Sequence, residues 1–245
     1  EVVPNGTNFI MGDNYEVTID SNGKATAKEK ENVTPQELCK AIAPSEQQIW
    51  NQTNNAMESK VLGVQATASA MYAVGAVYSC DFGDGARTFY VLEEDGNNIK
   101  LIMNKNLGEI VAWCDANAKD PNNNSCNANG AKAYLASQTS GWTKLINVGG
   151  KIELPKGEDI ANLINDDLWN DTTITKQEVP DWMRANLYKA NVPLGYWTST
   201  ANSNKSSEAW LMFYLGYLHS YDFKSYSVVS GVRPVITISK FNMSL

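Results

Sequence analysis

The sequence predicts an α+β fold. Strand-like runs gather at 72–114 and again at 195–239, and helix-like segments lie between them. No strand–helix–strand alternation of the kind that builds a parallel sheet runs through the chain.

Each element has a local reason. "NYEVTIDSNGKATAK" alternates strand residues about Ser21-Asn22-Gly23, a hairpin signature. "NVTPQELCKAI" predicts a helix, with Thr34 as N-cap, Pro35 in the first position and Glu37 in the third. "PSEQQIWNQTNNAMESKVLGV" predicts a second, capped by Ser45 and seamed by Ile49, Trp50, Met57 and Val61. Residues 1–70 are thus expected as an N-terminal hairpin and helical addition, or stalk, ahead of a main domain over 71–245.

That domain opens with strand-like "AVGAVYSC", "RTFYVLEEDGNNIKLIMNKNLG" and "IVAWC", with Asp95-Gly96 marking a hairpin. "NGAKAYLASQTSGWTKL" predicts one helix that buries Ala131, Tyr134, Leu135 and Trp142. "LPKGEDIANLINDDLWND" predicts another, with Ile160, Leu163, Ile164 and Leu168 at helical spacing. "EVPDWMRANLYKA" follows as a short segment, and "GYWTST", residues 208–235 and "GVRPVITIS" close the chain as strands.

The chain has 245 residues, 43% hydrophobic and 19% charged, which suits a folded protein. A net charge of -7 without a basic block argues against a nucleic-acid partner. No apolar run approaches the roughly 18 residues of a membrane span. The first residue is Glu, which suggests trimming from a longer precursor.

Cys114 and Cys126 bracket a polar loop, "DANAKDPNNNS", that a disulfide would staple, leaving Cys39 and Cys80 as the second pair. The alternative is four buried thiols. Disulfides would place the protein outside the cytosol, in an extracellular or surface-displayed setting.

Chemistry is sparse. His219 is the only histidine, no G-x-S-x-G elbow accompanies it, and zinc spacings are absent. Glu93-Glu94, Glu158-Asp159 and Asp166-Asp167 read as solvated turns and helix faces. No cofactor is expected. Calcium is the one candidate, because residues 115–130 are rich in side-chain oxygens, though they lack an EF-hand register and such Asn and Asp more often satisfy turns.

The most informative stretch is "EAWLMFYLGYLHSYDFKSYSVVSGVRPV". Large side chains occupy both alternating sets: Trp210, Met212, Tyr214 and Leu218 on even positions, and Leu211, Phe213, Leu215, Tyr217, His219, Tyr221 and Phe223 on odd ones. Successive strand residues point to opposite faces, so either both faces are buried or one is shown to a partner. Tyr, His and Ser on the odd side favour display, since each must find a hydrogen-bond partner if buried.

"GYWTST", then "EAW", then Gly216, then "GVRPV" resembles the closing core of C-type-lectin-fold domains of bacteria and phages, such as the C-terminal module of the Legionella collagen-like protein. The likeness covers about 70–240 and extends to the variable proteins of diversity-generating retroelements. It implies a C-type-lectin-like α+β domain with two helices and antiparallel strands, and a non-enzymatic, adhesin- or receptor-type function. It also implies a C-terminal surface of the kind a retroelement hypervaries.

By position the resemblance makes Leu211, Phe213, Leu215, Tyr217, His219, Tyr221 and Phe223 the displayed ligand face, with Tyr226, Asn202 and Asn204 beside it. Trp197, Trp210, Gly216 and Arg233 become its structural support. Tyrosine offers contact area at small entropic cost and serine adaptable hydrogen bonds. The implied partner is a cell-surface protein or a glycan. The alternative is a pilin-like or fibre subunit whose aromatic face joins copies into a homo-oligomer. The formylglycine-generating oxidases share the broad fold, but no cysteine follows Cys126 to supply their metal-binding thiolate pair. "WND" at Trp169-Asn170-Asp171 lacks the upstream partner motif of calcium-dependent sugar binding.

Overall fold

The computed structural model describes residues 15–19, 21–29, 36–42, 47–51, 56–60, 71–114, 130–164, 180, 182–184, 195–205, 207–213, 216–222 and 230–244. The chain divides into two compact units, Glu1–Gln36 and Glu37–Leu245. In the first, β1 (Tyr15–Ile19) and β2 (Ala25–Glu29) pair antiparallel as the expected hairpin. Gly23, with φ of 77°, supplies the left-handed turn residue.

The second unit holds two larger sheets. One has seven strands in the order β15-β3-β6-β7-β8-β14-β9: β3 is Cys39–Ala41, β6 Val77–Asp81, β7 Ala86–Asp95, β8 Asn98–Met103, β9 Lys151–Glu153, β14 Val235–Ser239 and β15 Met243–Ser244. The other has four in the order β12-β11-β10-β13, namely Leu218–Asp222, Glu208–Phe213, Gly195–Ala201 and Ser230–Gly231. A separate hairpin pairs β4 (Gln47–Asn51) with β5 (Ala56–Lys60). The helices are short: α1 (Ala131–Gln138), α2 (Thr143–Asn147) and α3 (Gly157–Ile164).

The α+β expectation, and the two-helix lectin-like architecture with it, is therefore corrected to a β-rich fold. Of the helices expected at 34–61, residues 39–41, 47–51 and 56–60 are strands, and the other described residues, 36–38 and 42, are in neither helix nor strand. Cys39 is held extended by its direct pairing with Cys80 on β6, where the two form a disulfide. Residues 49–55 include Ile49, Trp50, Thr53 and three Asn, which are weaker helix formers, and strand pairing of 47–51 with 56–60 decides the outcome.

Two further differences are local. "IVAWC" forms no strand; the Val111 N–H donates to Ser230 O and the Trp113 indole to Thr198 O at 2.6 Å. The single helix expected over 129–145 breaks at Thr139, whose hydroxyl donates to Leu135 O at 2.8 Å and ends α1.

Side-chain parity explains the core. On the four-stranded sheet Trp197, Ala209 and Leu211 face one cluster with Tyr78, Phe89, Val91, Leu101 and Ile236 of the seven-stranded sheet. Tyr196, Trp210, Met212 and Leu218 face a second, with Ile160 and Leu163 of α3, Trp182, Met183, Leu92 and Ile102. Both faces of β10 and β11 are thus buried at mid-strand, which is why their sequence reads as an almost continuous apolar run.

Candidate functional site

On the odd face, register sets the neighbours. Leu211 lies between Trp197 on β10 and His219 on β12, and Ala209 lies between Ala201 and Tyr221. Beyond them Phe213 and Tyr217 close the β11–β12 turn: the Phe213 N–H donates to Tyr217 O at 2.9 Å and the Gly216 N–H to Phe213 O at 3.0 Å. Gly216 has φ of 94°, a conformation that a side chain would strain. Sequence likeness had marked this glycine as framework, and the turn gives the physical reason.

Four rings meet here as a continuous ladder. Phe213 lies 5.4 Å from Tyr217 and 5.9 Å from His219, and His219 lies 6.1 Å from Tyr217 and 5.8 Å from Tyr221. The planes are tilted by 47° to 89°, with Tyr217 and His219 edge to face, so the rings form no flat platform. Exposure rises from 9% at Tyr217, just before β12, through half-buried His219 to 40% at Tyr221 on that strand. This strand is the edge of its sheet among the described residues.

The structure sorts the sequence-derived site residues. Phe213, Tyr217, His219 and Tyr221 come together. Leu211 does not belong to a displayed face: it is fully buried against Trp197 and the seven-stranded sheet. Its alternation was right, but it sits one strand inward, where the neighbouring sheet covers that face. Asn202 is buried rather than displayed; its side-chain oxygen accepts from the Asn204 N–H at 2.9 Å, shaping the β10–β11 turn and leaving Asn204 exposed. Leu215, Phe223 and Tyr226 lie outside the described residues.

The residues expected as supports, Trp197, Trp210 and Arg233, are all buried. Trp197 is fully buried and its indole donates to Val111 O at 2.8 Å. Trp210 is buried on the opposite face, and the Thr198 hydroxyl donates to its carbonyl at 2.8 Å. Arg233 is 0% exposed and donates to the carbonyls of Met103, Trp182 and Met183, while its guanidinium lies 4.9 Å from the Tyr196 ring centroid. Burial pushes the Tyr196 phenol up and the Arg233 guanidinium down from their ordinary pKa values. Three carbonyls from two segments, Met103 and Trp182-Met183, thus accept from one fork of donors and tie residues 182–183 to the sheets.

The paired carboxylates diverge where described. Glu93 and Asp159 both bind Lys100, at 2.5 and 2.9 Å, Glu94 pairs with Lys240, and Glu158 accepts from the Thr200 hydroxyl. Asp166 and Asp167 lie outside the described residues, as do 115–129, the candidate calcium loop. Cys39 and Cys80 form the expected disulfide. Cys114 is also disulfide-bonded, and Cys126, its expected partner, lies outside the described residues. Among the described residues no helix is long and apolar enough to cross a membrane. No family model, curated protein or solved structure matches the chain.

Proposed function

We propose that this is a non-enzymatic binding protein of an extracellular or surface-displayed setting, which grips a partner through the Phe213–Tyr217–His219–Tyr221 ladder. The observation that carries the reading is the gradient along β12: a contiguous aromatic row whose inner rings are packed and whose outer ring, Tyr221, is open. Packing of the inner rings holds the outer ones in place, so little side-chain freedom is lost on binding. Aromatic anchors of this kind carry a large share of interface affinity. The Cys39–Cys80 disulfide suits such a setting.

Capture of labelled protein by a panel of cell-surface proteins and glycans tests the proposal. Tyr221→Ala and His219→Ala are expected to abolish capture with melting temperature unchanged. Capture that survives both substitutions sinks the reading. On this proposal a diversifying retroelement would write at Asn204, His219 and Tyr221 and spare Leu211, whose side chain the core requires.

A further inference from the structure

Arg233 is fully buried, and no carboxylate pairs with it among the described residues. A guanidinium carries five N–H groups. Three of them donate to the carbonyls of Met103, Trp182 and Met183, which are neutral dipoles and not counter-charges. One N–H on each terminal nitrogen is left without an acceptor among the described residues. The ring beneath the guanidinium is that of Tyr196, and burial raises the pKa of its phenol, so it stays a neutral donor. Buried charges are costly alone, and folded proteins pair them or bind an ion to them.

Two neutral donors lie in the same cluster. Tyr196 Oη and Trp182 Nε1 are buried and have no hydrogen-bond partner among the described residues. Each side chain is placed by Arg233 or by a neighbouring ring. The guanidinium stands over the face of the Tyr196 ring, which leaves the hydroxyl unbonded. Trp182 accepts from Arg233 through its carbonyl, while its indole stacks on Tyr90 with centroids 5.3 Å apart and planes 19° apart. Leu92, Ile102, Leu163 and Met212 of the cluster bring apolar side chains only.

We propose that Arg233, Tyr196 and Trp182 together bind one small monovalent anion of the chloride class inside this cluster. The proposal is independent of the ring ladder. A water molecule would serve the two neutral donors but leave the guanidinium uncompensated, whereas an anion answers both. Burial sets the size: none of the three residues is more than 7% exposed, so the ion is enclosed as the cluster closes. It also sets the charge, since stripping water from a doubly charged phosphate or sulfate costs far more than from a halide.

The test compares thermal unfolding of the intact disulfide-bonded protein in sodium chloride and in sodium gluconate at equal ionic strength, which equalises screening. Each tenfold rise in chloride above its dissociation constant should lift the melting temperature by about 3–6 °C. Gluconate is too large to be enclosed and should not do so. Tyr196→Phe removes a single oxygen. In gluconate it should match or exceed the wild type, because the lost hydroxyl has no partner there. In chloride it should fall below the wild type, because the ion loses a donor. Crystals grown in bromide should show an anomalous peak within hydrogen-bond reach of Tyr196 Oη and Trp182 Nε1.

Equal melting temperatures in the two salts would overturn the proposal. A chloride effect undiminished in Tyr196→Phe would do the same, since the ion would then sit elsewhere, as would a bromide peak away from both donors. Should Tyr196→Phe fail to fold, the bromide position in the wild type decides alone.

Discussion

Leu211 and Tyr221 project from the same face of one sheet, yet one is fully buried and the other 40% exposed. Leu211 sits on the second strand from the edge, with Trp197 beside it and the seven-stranded sheet above; Tyr221 sits on the edge strand over alanines. The physical difference is depth. Leu211→Ala removes buried methyl groups and is expected to cost about 2–5 kcal/mol. Tyr221→Ala should stay within roughly 0.5 kcal/mol, as exposed substitutions do. Urea denaturation of the two variants measures both, and a reversed ranking would mean the open end of the ladder is part of the core.

At the scale of elements, what the sequence revealed and what it concealed follow one rule. The hairpins at 15–29 and 86–103 were legible because alternation and turn residues, Asn22-Gly23 and Asp95-Gly96, agree within a few residues. The strand at Cys39–Ala41 was not, because its partner is Cys80, forty-one positions away, and a good local helix start precedes it. The period of two placed Phe213, Tyr217, His219 and Tyr221 together, and their rings do meet. It could not give strand order, and strand order is what buries Leu211.

Glycine adds a second non-local constraint. A Cβ on Gly195 would lie 2.2 Å from Met212 O, the backbone of the neighbouring strand. That carbonyl cannot move without opening the β10–β11 ladder, so Gly195→Ala is expected to destabilise by about 1–3 kcal/mol. It should also disturb the proton NMR signal of the His219 ring, since β12 is registered on β11. A variant with wild-type stability would show that β10 and β11 can separate freely.

Near one edge of the seven-stranded sheet, Cys39–Cys80 ties β3 to β6. β3 is three residues long, and β15 pairs with it in parallel, Met243 against Cys39. Apart from the disulfide, Ala41 of β3 and Leu38 just before it are the buried apolar side chains here, so the backbone pairing of β3 is thinly supported by burial. The sulfur bridge closes a loop of 41 residues, for which chain entropy gives about 4 kcal/mol. Replacing both cysteines by alanine should therefore lower stability by roughly that amount. The loss should not be spread evenly. Hydrogen exchange is expected to quicken first at 38–42 and 243–244, while β7, β8 and β14, which pair on both sides in the sheet interior, stay protected. The ladder belongs to the other sheet, so the His219 signal should persist until global unfolding. Simultaneous loss of protection in both sheets would instead make the bridge a support of the entire core, including the strands that carry the ring ladder.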